Sequence, residues 1–172
     1  MKKFLFAFAM TFATLTINAQ TKEKSVEGYN FEKYPAKTEK ITKAKLNLAS
    51  NSLGKTYKTQ ISKQYKSEKI NFGGHYVLTF WGVGQGLSNG AMVDAKTGKI
   101  YELPLTDENS IRDCFYNDNE NIFYKANSNL FATFKCERTN EDGKIKLTYS
   151  FYKWNGTEFK FLGNKEKLEI EK

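Results

Sequence analysis

"INFGGHYVLTFWGVGQGLSNGAMVDAKTGKIYELP", Ile70 to Pro104, decides how this chain is read. It holds the only histidine, one of the two tryptophans and most of the glycines. "HYVLTFW" is β-branched and aromatic, the composition that suits a half-buried pleated surface. "AMVDAKTGKIYEL" is two apolar runs around a turn. Asp94 can accept from turn amides, and Gly98 can supply the positive φ that a hairpin loop needs. "WGVGQGLSNG" between them reads as a glycine-rich connection. The stretch predicts strand, loop and hairpin.

Working outward, the C-terminal half repeats the pattern. "DCFYN" and "NIFYK" read as short strands. "NLFATFKCE" and "IKLTYSFYKW" flank a turn at Gly143, and "SFYKW" and "EFKFL" flank Asn155-Gly156, a strong hairpin signal. Before the opening stretch, Leu53, Tyr57, Ile61 and Tyr65 recur at i, i+4 spacing, the period of one amphipathic helix. Ser50 or Ser52 is its expected N-cap, and Lys63, Lys66 and Lys69 favour its C-terminal end. The fold class expected is mainly β (α+β). It is an antiparallel meander, sandwich or barrel of about seven or eight short strands with one amphipathic helix.

The chain opens "MKKFLFAFAMTFATLTINAQ". Lys2 and Lys3 precede an apolar run, and Ala19 suits the residue before a signal-peptidase cut, so 1–19 reads as a signal peptide. The run is shorter than the roughly 20 residues a spanning helix needs, and no later segment is long enough. The mature protein is then expected in the periplasm or outside the cell. Residues 20–45 read as a basic, loosely packed leading segment, because mixed charge with few apolar residues buries little surface. Residues 46–165 form a single β-rich domain, and 166–172 a charged peripheral tail.

The formal charge is +8. Removal of the signal leaves 25 basic against 19 acidic side chains, a net +6. All but Arg112 and Arg138 of the basic residues are lysines. Base and phosphate readout favours the planar arginine fork, so nucleic acid is not an expected partner. An anionic envelope polymer or an acidic protein suits the surface better.

Few residues form a chemical constellation. His75 could act as a base or ligand, but it lacks a second histidine, so a metal site is not expected. "GLSNG", Gly86 to Gly90, has the spacing of a nucleophile elbow around Ser88, but a strand follows it where the motif needs a helix. A triad of His75, Ser88 and Asp94 can be written, and nothing in the pattern places the three together. The loop from Trp81 to Gly90 offers a binding concavity instead, with Trp81 as an apolar wall and Gln85, Ser88 and Asn89 as polar contacts. Cys114 and Cys136 are the only cysteines, 22 residues apart. In an oxidising compartment they favour a disulfide, worth about 3 kcal/mol on a chain-entropy estimate, over two buried thiols. No cofactor is called for.

Over Tyr57 to Pro104 the chain resembles a family of small exported bacterial proteins of uncharacterised function. Its pattern runs N-F-A-G-H-Y, then W-G-C-G-x-x-C, then D-x-x-T-G-x-V-Y. Asn71, Phe72, Gly74, His75 and Tyr76 match the first element, with Gly73 in place of alanine. Trp81, Gly82 and Gly84 match the second. Asp94, Thr97, Gly98 and Tyr101 match the third. Val83 and Leu87 stand where the family has cysteines, so a thiol or disulfide role of that loop is absent here. The resemblance implies export and a β-rich fold; it implies no activity.

Three functions are therefore in view. The first is an exported, non-enzymatic envelope protein that binds a protein or small ligand. The second is a hydrolase using His75 with Ser88 or a carboxylate. The third is a basic structural protein bound to anionic envelope polymer.

Overall fold

The computed structural model describes residues 24–84, 87–106, 121–140 and 143–170. Within them the fold is mainly β, with antiparallel sheets and two helices, as the hydrophobic pattern predicts. A small pair joins β1 (Ser25–Val26) to β2 (Tyr29–Asn30). A three-stranded meander contains β3 (Tyr76–Gly84), β4 (Leu87–Asp94) and β5 (Ile100–Glu102). A four-stranded meander contains β6 (Ile122–Tyr124), β7 (Leu130–Arg138), β8 (Lys144–Trp154) and β9 (Phe159–Ile170).

Strand periodicity sorts the core into three clusters. Tyr76, Leu78 and Met92 on one face of the three-stranded sheet pack with Phe131, Tyr124 and Trp154 of the larger sheet. Val77, Trp81, Ala91 and Val93 on the opposite face meet Ile61 and Tyr65 of the helical layer. Leu130, Ala132, Ile145, Leu147 and Phe151 on the far face of the larger sheet are covered by Val26 and Phe31. The central strands are therefore buried on both faces, which is why "NLFATF" reads as a continuous apolar run.

The single helix expected is two: α1 (Ser52–Thr56) and α2 (Lys58–Ser67). The break falls at Tyr57, whose φ of −112° and ψ of 33° leave the helical region. Its ring tilts onto Trp81 at 4.8 Å. The N-cap is Asn51, whose side chain accepts from Leu53 N, and not Ser50 or Ser52. Ser50 is engaged elsewhere, with its hydroxyl accepting from Ile100 N. At the far end the helper is a distant lysine: Lys43 Nζ donates to the carbonyls of Tyr65, Lys66 and Glu68.

Lys43 belongs to the leading segment, which was expected to pack loosely. From residue 24 onward it is a strap laid across both sheets. Ala36 N donates to Asn127 O, Glu39 N to Gly74 O, Ala44 N to Ala95 O and Asn47 N to Gly98 O, all between 2.8 and 2.9 Å. Hydrophobicity did not reveal this, because backbone amides do most of the docking.

Two further boundaries differ from expectation. Most of the expected Trp81–Gly90 loop is strand, since β3 runs to Gly84 and β4 starts at Leu87, with a register shift between Gly82 and Gly84. The charged tail is also strand up to Ile170, because its alternating residues pair with β8 from Lys144 onward.

Candidate functional site

The "FGGHY" turn is pinned from below. Gly73 N donates to Ser128 O at 3.1 Å and Gly74 N to Ala126 O at 2.7 Å, while Phe72 and Tyr76 form a bridge. His75 stands at its end, just ahead of β3, and its carbonyl accepts from Ala95 N. The imidazole lies between two carboxylates. Nδ1 is 3.6 Å from Glu39 Oε1 and Nε2 is 3.7 Å from Asp94 Oδ1. Both distances exceed a hydrogen bond, so the carboxylates act on the ring through charge only when it is protonated. The ring also packs on Tyr76, 4.2 Å between centroids.

The carboxylates have other duties. Asp94 holds the β4–β5 turn, with Oδ1 accepting from Lys96 N and Oδ2 from the Thr97 hydroxyl, both at 2.8 Å. Glu39 is paired with Lys96 Nζ at 2.8 Å. That hydrogen bond holds Glu39 below its ordinary range. Burial pushes the His75 pKa down, the Lys96 ammonium adds to this, and Asp94 and Glu39 only partly oppose it. At neutral pH His75 is a neutral ring joining strap, sheet and turn.

Around His75 opens a cleft of about 500 Å³. Polar groups converge on it from four separate segments: Lys37 and Glu39 of the strap, His75, Asn129, and Lys153 with Asn155 of the β8–β9 turn. That turn is rigid, because Asn155 Oδ1 accepts from Thr157 N, Glu158 N and the Thr157 hydroxyl at 2.9 Å. Tyr76 and Trp154 form the apolar wall, with Trp154 only 3% exposed. A second cavity of about 260 Å³ lies against Trp154, between Tyr101–Pro104 and Thr157–Phe159.

The residues singled out from sequence divide between this end and the other. His75 and Asp94 come together. Ser88 does not join them, because it pairs with Gly82 while Asp94 pairs with Tyr76. Ser88 and Asp94 lie six residue steps apart along the strand, about 20 Å. The structure therefore does not assemble the His75–Ser88–Asp94 triad. Trp81 is not the wall of an open loop; it is 8% exposed and packed beneath the helices. Ser88 and Asn89 are half-buried on β4, and the Asn89 side chain accepts from Gly90 N. Gln85 lies outside the described residues.

Cys136 sits on β7 beside the strap-side cluster. Cys114, the "DCFYN" strand and the expected signal peptide lie outside the described residues. Among the described residues no group of three or more metal-ligating side chains is placed to hold an ion, and no helix is long and apolar enough to cross a membrane.

Sequence reasoning missed Lys37, Glu39, Asn129, Lys153 and Trp154 as neighbours of His75. Their separations along the chain carry no motif. The usable signals were the paired glycines of "FGGHY" and the Asn-Gly turn, which mark where backbones meet. Comparison with protein-family models, with curated proteins and with solved structures found no match.

Proposed function

We propose that this chain is an exported, non-enzymatic envelope protein that binds a small polar ligand, or a segment of a partner, in the cleft around His75. The observation that carries the reading is the cleft itself. It has ligand-site dimensions, an aromatic wall, and polar groups from four chain segments, of which Glu39 is held by Lys96, Asn129 by the Pro35 carbonyl and Asn155 by its own turn. Export is supported by the basic, apolar and small-residue order of residues 1–19. A binding role is favoured over hydrolysis because, among the described residues, no serine, threonine or cysteine lines the cleft, and both imidazole nitrogens face carboxylates already in use.

The test is a thermal-shift screen of sugars, amino acids, short peptides and small organic acids. The wild type is compared with a Lys37→Glu/Lys153→Glu double variant. Both lysines are exposed and line the cleft, so the variant should keep its melting temperature and lose the hits. Hits that survive in the variant, or turnover of any hit that is lost in His75→Gln, would overturn the reading. A basic polymer-binding protein predicts instead that anionic polysaccharide binds with steep salt sensitivity and no dependence on the cleft.

A further inference from the structure

The two long meanders treat their edges differently. On β3 the outward backbone groups of Tyr76, Leu78 and Phe80 are closed. Asn71 accepts from Leu78 N and donates to Leu78 O. Gln64 accepts from Phe80 N and donates to Phe80 O. Phe72 does the same for Tyr76 through its backbone. β9 is the last strand of the larger sheet, and among the described residues nothing pairs with its outer edge. A bare edge of this length is a template for another strand.

The side chains along β9 point to what would fit there. Four of the five large exposed apolar residues lie on it: Phe161 at 58%, Leu162 at 36%, Leu168 at 63% and Ile170 at 73%. Phe161, Leu168 and Ile170 share one face, opposite Tyr152, Lys146 and Lys144 of β8. Lys160 and Glu169 share the other, opposite Lys153 and Ile145. Leu162 is the extra residue of a bulge, since Phe151 pairs with Gly163 and Tyr152 with Phe161.

We propose that β9 pairs antiparallel with β9 of a second copy, about a two-fold axis through Lys165. With Leu162 bulged from both strands, Phe161 faces Leu168 of the second copy and Phe159 faces its Ile170. Lys160 faces its Glu169, Gly163 its Lys167 and Asn164 its Glu166. Each pair occurs twice and keeps its side chains on a common face, as antiparallel neighbours must. The apolar residues form two patches on one face, one toward each end of the paired strands, with the two Asn164–Glu166 pairs between them at the axis; the two Lys160–Glu169 ion pairs lie on the other face. Within each copy Glu169 is already held by Lys167 at 2.5 Å, and Lys160 lies 3.9 Å from Glu158, so each inter-copy pair joins an existing charge cluster. One like-charge contact remains, Lys165 against Lys165 on the axis.

Sedimentation velocity over a concentration series tests this. The wild type should dimerise reversibly. Lys160→Glu should weaken the dimer roughly tenfold, because two attractive cross-strand pairs become repulsive. The swap Lys160→Glu/Glu169→Lys should restore it. Lys165→Thr should tighten it by removing the axial repulsion. Hydrogen exchange, read on the wild type, should show β9 amides gaining protection with concentration while β3 amides do not. A monomer at every concentration would overturn the proposal. So would a dimer indifferent to Lys160→Glu, or protection gained away from β9.

Discussion

The carbonyl of Lys45 passes under Gly98 so closely that a Cβ at residue 98 would overlap it. Gly98 also holds φ at 74°, in the turn set by Asp94, and its own carbonyl accepts from Asn47 N at 2.9 Å. Gly74 repeats the arrangement under the Lys37 carbonyl, at φ 86°. Gly74 and Gly98 of the opening stretch are thus seats for the strap. Gly98→Ala should destabilise the protein by roughly 1–3 kcal/mol, from positive φ and overlap together. Urea denaturation measures it. A wild-type midpoint would mean the strap is not seated there.

Lys43 should contribute through the end of α2. Its ammonium meets three C-terminal carbonyls that would otherwise lack partners. Lys43→Met keeps most of the stem and removes the charge, so it should cost about 1 kcal/mol. The loss should appear first as faster amide exchange in the last turn of α2. Equal exchange in both proteins would show that the carbonyls are satisfied by water.

His75 should titrate below its ordinary 6.5, since burial and Lys96 both push it down. The unfolded chain then takes up the proton first. Stability is full above pH 6.5 and falls as pH drops from 6.5 through the lowered folded value. With one histidine in the chain, the imidazole Cε1 proton gives a single titrating signal. Lys96→Met should raise the pKa, and His75→Gln should flatten the stability profile in that window. A wild-type pKa above 6.5 would mean that Glu39 and Asp94 dominate the site.

Trp81 separates the two ends of β3. Its burial against Tyr57 makes it a core residue, so Trp81→Ala should cost roughly 3–5 kcal/mol. Ligand hits should survive in whatever fraction stays folded. A stable variant that has lost binding would return the site to the Trp81–Gly90 segment.

How much of this was legible depended on range. The hairpins at Gly98 and Asn155-Gly156 were readable because turn chemistry is local: an Asx side chain and a positive-φ glycine lie within a few residues. The fold class followed from strand-length apolar runs. The strap was not readable, because Glu39, Ala44 and Asn47 dock through backbone amides that any sequence offers. The helix break at Tyr57 was hidden by an intact i, i+4 pattern; packing on Trp81 accompanies it. Of the site, His75 and Asp94 were visible. Their partners Glu39 and Lys96 were not, since charge contacts across folded segments leave no spacing behind.

The most direct measurement of the central claim uses the same imidazole signal as a reporter of the cleft. Hits from the thermal-shift screen are titrated into the wild type and into Lys37→Glu/Lys153→Glu at fixed pH. Binding in the cleft predicts that His75 Cε1 and the amides of Gly73, Asn155 and Gly156 shift together and saturate in the wild type, and stay still in the double variant. Shifts confined to β4, or a His75 signal that never moves under saturating ligand, would contradict it.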